Sequence, residues 1–452
     1  MNRAGLALAA LAACGDNAAP TGSFEIVGHA DLGARGMNAA LAVAGDIVYV
    51  GSRIDSRDVE VVDVSDPSRP TVVGHIGPPD EGIAGMSSRE LRAVPDLDLL
   101  VILNLKCSTQ LHGCAAGATE AENLKIYDIS DRRAPRRLGT YYVTGTMFRP
   151  RSPHEFFLWR DPIDPKRVLV FLSAPPAAPS FEIVDISNLS NPTPLVTWDP
   201  IRDGGLDSGG TPGDNILHSV SASDDGRTGY LSHQQGGLAL VDLSTVIDKA
   251  DVPQITLVTP PSQVLDWAPP GVGPHSAVQV PDRSLLVVTE EIYPMPFGTG
   301  CPWGHLRLVD TTDLTRPVVV GEFQLPENAK CPTTAATAFT AHNATATSHL
   351  ALVTWYAGGL QAIDISDATH PSQLAELRPT PLPTVDHEDP GLGGNPVEMW
   401  SYPVIQNGLV YVVDVRNGLY VLRYHGQWEQ EVAERRFLEG NSNLGAYLPR
   451  HP

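Results

Sequence analysis

Short apolar runs recur along nearly the whole chain, and each is followed by a polar turn. The clearest run ends in Asp, an apolar residue and Ser or Thr, as in VEVVDVS, LKIYDIS, FEIVDIS, LALVDLS, LRLVDTT and LQAIDIS. A degraded copy, GLYVLRY, has Arg423 in place of the Asp. Apolar runs of about four to eight residues bounded by turn residues are typical of β-strands. The pattern therefore predicts an all-β protein built from repeated units.

Each unit is predicted to contain four strands. A second apolar run, such as IVYVG or LLVILNL, precedes the Asp motif, a further strand lies before that run, and a strand such as TVVGHI follows the Asp. The Asp is expected to accept hydrogen bonds from backbone N–H groups in the turn after it. Seven such units predict a seven-bladed β-propeller over residues 24–425.

The two ends of this domain have different expected roles. Phe24–His29 (FEIVGH) is similar to the fourth strands, so we expect it to complete the last blade and close the ring, which protects the sheet edges. Residues 426–452 are polar and are expected to form a tail on the surface.

Composition supports this architecture and restricts the partners. The 41 Gly and 40 Pro require frequent turns and leave little room for long helices. The formal net charge is -21, so nucleic acid is not an expected partner because its phosphates would be repelled. We expect a monomer.

The first residues are predicted to direct export. Residues 1–14 combine one Arg, an apolar run and a final Cys14. Leu-Ala-Ala-Cys at positions 11–14 resembles the lipobox of bacterial lipoproteins, which implies that Cys14 is lipidated and that residues 15–23 form a flexible tether. The protein would then be held in the bacterial cell envelope, on the periplasmic side or the outer surface, and would contact the membrane through the lipid alone. The alternative is a plain secretory signal with an incidental cysteine.

The other cysteines are predicted to form two disulfides. Cys107 and Cys114 lie in one loop, and Cys301 and Cys331 flank one repeat boundary. An even number of cysteines suits an oxidising compartment.

The strongest chemical signal is a histidine at the same place in four consecutive units: His154, His218, His275 and His342. Each opens the predicted innermost strand, so circular closure would bring the four imidazoles to one spot. Neutral imidazoles without a thiolate suit copper or zinc, with iron or nickel as alternatives. A polar, water-filled channel would be the other outcome of the same arrangement.

Alignment of the innermost strands by their turns extends this ring to Asn38, Arg89 and either Glu398 or Trp400, of which Glu398 is taken as the ring member. Glu155 and Glu398 are expected to orient a ring nitrogen or take a proton. Arg89 could instead help an organic anion to bind. Further histidines could reach the same face from loops: His112, His233, His305 and His387.

The repeated strings resemble the LVIVD repeat of bacterial surface and secreted propellers. The histidine placement is also similar to the selenium-binding protein and methanethiol oxidase family, which implies copper held by channel histidines and oxidation of a small, thiol-like molecule. A non-catalytic surface module would instead bind a protein or glycan on the loop-rich face. A hydrolase that uses a divalent cation would need carboxylate ligands, and the ring offers Glu398 at most.

Overall fold

The computed structural model describes residues 20–114, 117–118, 120–143, 151–206, 216–267, 272–295, 298–331, 337–391 and 397–447. Cys14, the whole predicted signal segment and most of the predicted tether lie outside these residues. No helix in the described part of the chain has the length and hydrophobicity needed to span a bilayer.

The first strands form two four-stranded antiparallel meanders, β2–β5 and β6–β9. A single residue pair between Ser52 and Ser88 joins the two meanders into one eight-stranded sheet. The strands are β1 (Ser23–Ala30), β2 (Asn38–Ala44), β3 (Ile47–Ser52), β4 (Val59–Asp63), β5 (Thr71–Ile76), β6 (Met86–Val94), β7 (Leu99–Lys106), β8 (Asn123–Asp128) and β9 (Arg136–Tyr142).

The middle of the chain forms four separate four-stranded sheets, each with its strands in chain order. The first two sheets contain β10 (Glu155–Arg160), β11 (Val168–Ser173), β12 (Phe181–Asp185), β13 (Thr193–Trp198), β14 (Leu217–Ala222), β15 (Thr228–His233), β16 (Gly237–Asp242) and β17 (Thr256–Leu257). The next two contain β18 (Ser276–Gln279), β19 (Leu285–Thr289), β20 (Leu306–Asp310), β21 (Val318–Phe323), β22 (Ala344–Ala346), β23 (Leu350–Thr354), β24 (Leu360–Asp364) and β25 (Ser372–Leu377).

The last sheet joins both ends of the chain, in the order β1-β28-β27-β26-β29. The prediction that the N-terminal strand completes this sheet is confirmed, since β1 pairs antiparallel with β28. The new elements are β26 (Val404–Gln406), β27 (Leu409–Asp414), β28 (Gly418–His425) and β29 (Phe437–Glu439). The four short α-helices are α1 (Ser244–Ile247), α2 (Pro326–Ala329), α3 (Glu429–Ala433) and α4 (Leu444–Tyr447).

The innermost strands of the sheets pack against one another in a closed circuit. From β2 the circuit passes to β6, β10, β14, β18 and β22, then through β29 and β26 back to β2. Successive antiparallel sheets whose first strands surround one axis form a β-propeller. The apolar core lies mainly between neighbouring sheets, as for Phe171 and Phe181 on one side of a sheet and Val170 and Leu172 on the other.

The aspartates of the repeated motif act as the sequence predicts. Each accepts a hydrogen bond of 2.8 Å from the backbone N–H two residues later, which is the geometry of an Asx turn. The pairs are Asp63 with Ser65, Asp128 with Ser130, Asp185 with Ser187, Asp242 with Ser244, Asp310 with Thr312 and Asp364 with Ser366.

Part of the predicted surface tail is buried: residues 437–445 are buried, whereas most of residues 426–436 are exposed or half-buried. β29 pairs with β26, and Phe437 is 1% exposed. The chain then crosses the channel at the end opposite the repeated histidines, where Leu158 N–H donates to the carbonyl of Asn441 (3.1 Å). A Cβ atom at Gly440 would lie 1.9 Å from the carbonyl oxygen of Ala344, so the chain passes here at backbone contact distance. The side chain of Asn443 stabilises this position because it satisfies backbone groups that the innermost strands leave unpaired.

Asn443 tests this role of the tail. Its Oδ1 accepts from Arg160 N–H (2.8 Å), and its Nδ2 donates to the carbonyls of Arg160 (2.8 Å) and Asp224 (2.9 Å). We expect Asn443→Ala to lower the free energy of unfolding by about 1–3 kcal/mol, because it leaves buried backbone groups without partners. Chemical denaturation measures this change. Asn188→Ala, at an exposed turn, is the control and should change stability little; equal effects of the two substitutions would contradict the proposed role.

Candidate metal centre

The fold brings the four repeated histidines into one continuous arc. They lie at or just before the starts of the neighbouring strands β10, β14, β18 and β22. The ring centroids of His154 and His218 are 4.2 Å apart, those of His218 and His275 are 4.0 Å apart, and those of His275 and His342 are 4.1 Å apart. The imidazoles are therefore packed against one another around the channel.

Backbone and hydroxyl hydrogen bonds hold these rings in place. Three of the histidines donate their backbone N–H to the last residue of the next strand: His154 to Ser173 (2.9 Å), His275 to Thr289 (2.8 Å) and His342 to Thr354 (2.9 Å). Between sheets, serine hydroxyls donate to histidine carbonyls: Ser173 to His218 (2.8 Å), Ser219 to His275 (2.6 Å) and Ser276 to His342 (3.2 Å). Each histidine of the arc beyond the first is thus tied to the preceding sheet.

The carboxylate of Glu291 faces this arc. Its Oε2 lies 3.7 Å from His218 Nε2 and 3.6 Å from His275 Nε2, and its Oε1 lies 3.2 Å from His342 Nε2. Tyr356 donates its hydroxyl to the same carboxylate. Potential ligand atoms of His218, His275 and Glu291 all lie within 4.8 Å of one another. Glu291 is the one carboxylate that the structure places among the imidazoles in the described part of the chain.

Hydrogen bonds account for only some of the ring nitrogens. His342 donates from Nδ1 to the carbonyl of Trp400 (2.5 Å), so its Nε2 is the nitrogen that faces Glu291. His154 Nε2 and His218 Nε2 are 2.8 Å apart, so one of them donates to the other. His275 is 0% exposed, and neither of its ring nitrogens has a hydrogen-bond partner among the described residues. A fully buried polar ring without partners is costly, which makes His275 a candidate ligand.

Burial sets the charge of the centre. Burial, reinforced by the positive charge of Arg89, lowers the pKa of His154 to about 4, so this ring is neutral at neutral pH. Burial and the neighbouring imidazoles hold the pKa values of His218 and His275 well below their usual range. Burial alone would raise the pKa of Glu291, but the adjacent imidazoles and the hydroxyl of Tyr356 lower it below its ordinary value. The site therefore combines four imidazoles, of which burial favours the neutral form of three, with one carboxylate, and this donor set suits a divalent transition metal.

A rim of arginines lies next to the imidazoles. Arg53 and Arg89 both stack on the ring of Trp400, with guanidinium carbons 4.9 Å and 5.5 Å from its centroid. The indole of Trp400 also packs edge-on against His342 at 5.4 Å. Trp400, which lies shortly before β26, thus contacts the histidine arc, at the position for which the sequence predicts Glu398.

The repeated imidazoles are not the partners of two other predicted ring members, Asn38 and Glu398, or of Glu155, which is predicted to orient a ring nitrogen. Glu398 receives no hydrogen bond from a described imidazole; it is buried near Asp389, and burial and this second carboxyl raise its pKa well above the ordinary value. Asn38 binds Arg35 Nε (2.7 Å) and the carbonyl of Val415 (3.1 Å). Glu155 points to a separate cluster in the channel, so neither Glu155 nor Glu398 orients a described histidine ring.

That separate cluster is acidic. Glu90 pairs with Arg92 (3.1 Å), and Glu155 hydrogen-bonds with Tyr402 and Ser219. All are buried, and one oxygen of Glu155 has no partner. Burial, followed by the charge of Glu90, raises the pKa of Glu155 well above its usual range. This cluster thus holds carboxyl groups that burial keeps protonated to a higher pH than ordinary carboxyl groups.

Both predicted disulfides are present. Their Cα atoms are 5.7 Å apart for Cys107 and Cys114, and 5.4 Å apart for Cys301 and Cys331. The first closes the loop that carries His112, whose Nε2 accepts hydrogen bonds from Arg53 (3.1 Å) and Arg89 (3.4 Å). Disulfides are typical of proteins outside the cytoplasm.

Sequence reasoning missed Glu291 and Tyr356, although a positional signal exists. Each lies two residues after the strand-ending threonine whose carbonyl binds a repeated histidine, Thr289 and Thr354. Because the first and second strands of a sheet are antiparallel, the end of the second returns to the face where the first begins. Chemistry-bearing residues just after second strands are therefore candidates for the same site.

The pKa direction of Glu155 gives a pH prediction. A raised folded-state pKa means that the unfolded carboxyl ionises first, so stability falls as pH rises from about 4.5 towards the folded pKa. Glu155→Gln removes this cost, and we expect it to raise the free energy of unfolding at pH 7–8 by about 1 kcal/mol or more, with no gain near pH 4. Denaturation at both pH values measures the difference.

Glu182→Gln is the matched control. Glu182 pairs at 2.8 Å with Arg151 in a buried ion pair, so removal of its charge should lower stability at neutral pH. If both variants lost stability at pH 7–8, this result would contradict the assignment of Glu155 as a buried carboxyl whose ionisation lowers the stability of the folded protein.

Comparisons with known proteins give a repeat match and a similar solved structure. A family model described as LVIVD repeat matches residues 35–76 and 178–198, which contain β2–β5 and β12–β13. Curated proteins give no match. The β-propeller domain of Cps50 (Swd1) from Myceliophteria thermophila is similar with a TM-score of 0.48 and 10% identity, over 86% of this chain and 96% of that chain. The propeller fold follows from this chain's own closed circuit of sheets, and two segments of the chain match the LVIVD repeat.

Proposed function

We propose that this chain is a metal-binding propeller protein of the bacterial cell envelope. His154, His218, His275, His342 and Glu291 would hold one divalent transition metal ion. The observation that carries the proposal is His275, a fully buried imidazole with no partner for either nitrogen, between two other imidazoles and 3.6 Å from a carboxylate. A bound cation would satisfy these groups and remove the cost of burying them unpaired.

The donor set favours copper. Imidazole nitrogens suit copper, zinc, nickel and iron, and Cu(II) binds most tightly among the divalent ions of this series. Copper would supply one-electron redox chemistry to a small molecule bound beside it. The residues of the chain would fix the ligand rings through the hydrogen bond from His342 to Trp400 and admit a substrate from the partly exposed side of His154. Oxidation of a small, thiol-like molecule is the reaction that we propose for this centre.

The wider setting of this proposal has two parts. The two meanders, the four separate sheets and the five-stranded last sheet would form seven blades, with β2 and β6 starting the two blades of the joined sheet. The lipobox-like Leu-Ala-Ala-Cys ending at Cys14 would anchor the protein to a membrane by a lipid, and the two disulfides suit the same oxidising compartment.

Metal content is the direct test. We expect the native full-length protein to contain about one transition-metal ion per chain, and the double variant His218→Ala/His275→Ala to lose it, because two of the ligands are removed. Elemental mass spectrometry on protein purified from the cell envelope measures the ratio and identifies the ion. The double variant His75→Ala/His370→Ala, which removes two largely exposed histidines, is the control.

Equal metal in the ligand double variant and the native protein would overturn the proposal. Native protein without metal that still binds a protein or glycan on the loop-rich face would support the non-catalytic alternative. Glu291→Gln keeps the size of the side chain but removes its charge, and it should weaken metal binding without abolishing it.

A further inference from the structure

The two arginines at the rim of the centre differ in their partners. Arg53 forms an ion pair with Asp389 (3.2 Å) and also donates to Tyr293 OH (3.3 Å). Arg89 forms no ion pair with any carboxylate of the described residues, although it lies beside the same indole of Trp400. Asp389 thus neutralises the guanidinium of Arg53, whereas no described ion pair neutralises the guanidinium of Arg89.

Arg89 is held in place without being neutralised. Its Nη1 donates to Nε2 of His112 (3.4 Å), which also accepts from Arg53. Burial, followed by the charges of the two arginines, lowers the pKa of His112 far below its usual range, so this ring accepts hydrogen bonds and adds no charge. The guanidinium is fixed by stacking and one hydrogen bond, and its remaining donors are left for another acceptor.

The position of Arg89 links it to the histidine arc. Its guanidinium carbon lies 5.5 Å from the ring centroid of Trp400, and the same indole packs edge-on against His342 at 5.4 Å. Arg89 and His154 are both half-buried, whereas His275 and His342 are at most 5% exposed. A small molecule that enters from the loop face would therefore meet Arg89 and His154 first. The opposite end of the channel is crossed by the C-terminal residues after β29.

We propose that Arg89 is the anchor for a small organic anion with a carboxylate group, whose other end lies at the imidazoles. The planar guanidinium fork matches a carboxylate with two parallel hydrogen bonds, and such charge-assisted bonds are stronger where water is largely excluded. The ring of Trp400 would form the apolar wall of this subsite. The inference deepens the proposed function and rests on it for the role of the anion, which would be a substrate of the metal centre. The proposed substrates are thereby restricted to small molecules that carry a carboxylate group.

The test uses the full-length protein without metal, so that anion binding is measured separately from metal binding. The probes are trifluoroacetate and its neutral analogue trifluoroacetamide. Binding of each probe is measured by titration with detection by fluorine NMR. We expect the native protein to bind trifluoroacetate in competition with acetate but not with acetamide. Arg89→Gln should weaken this binding at least about tenfold, because it removes the charge and the fork. Arg57→Gln, which removes an exposed arginine paired with Asp386, should leave it unchanged.

Two results would overturn the inference: equal binding of the charged and neutral probes by the native protein, or equal trifluoroacetate binding by the native protein and Arg89→Gln. The probe comparison on the native protein does not depend on the folding of any variant. Metal analysis of the same samples separates the two proposals. Trifluoroacetate binding through Arg89 in a protein that takes up no metal would sink the metal centre and leave the anion site standing, and the reverse pattern would do the opposite.

Discussion

The hydroxyl-to-carbonyl hydrogen bonds between neighbouring innermost strands are the constraint on which the centre depends. Adjacent propeller sheets share no backbone ladder at the axis, so carbonyls there need partners from side chains. Ser173, Ser219 and Ser276 supply them, and in each case the acceptor is the carbonyl of a histidine in the next sheet. These bonds hold three imidazole-bearing backbones at fixed separations. Such close packing is tolerated because burial favours the uncharged forms of His154, His218 and His275, whereas several imidazolium ions at 4 Å would repel strongly.

The sequence predicted the features that local patterns determine. The apolar strands and the Asp turns follow local patterns, so the repeating unit could be predicted from the sequence alone. The same is true of the turn hydrogen bonds that each motif aspartate accepts, from the first at Asp63 to the last at Asp364. The four histidines could be grouped because a repeat carries each to the same place on its innermost strand. The pairing of β1 with β28 followed from the similarity of Phe24–His29 to other fourth strands. In each case a repeated sequence pattern indicated which residues lie close together.

What the sequence did not predict depends on register and on contacts between distant segments. Glu398 and Trp400 are two residues apart, so the periodicity of a strand could not choose between them. The hydrogen bond from His342 to the carbonyl of Trp400 and the packing of the two rings distinguish their roles. Glu291 lies after a strand end, where no periodicity marks it. The tail was expected at the surface because it contains polar residues such as asparagine. Asn443 is nevertheless buried, because it forms hydrogen bonds with Arg160 and Asp224, which are far away in sequence. Polarity predicts exposure only when no unpaired backbone is available to satisfy it.

The charges along the channel give the proposed site a direction. The half-buried cation Arg89 lies at one side of the imidazoles, and the acidic cluster of Glu90 and Glu155 lies in the same channel, with one arginine, Arg92, among them. An anion entering from the loop face would be attracted by Arg89, while movement towards the buried carboxyl cluster would be opposed by desolvation. A metal cation would instead be attracted by the carboxylate of Glu291. The imidazole arc would thus be the level at which an anionic ligand and a metal ion are both stabilised, so the two proposed ligands would meet there.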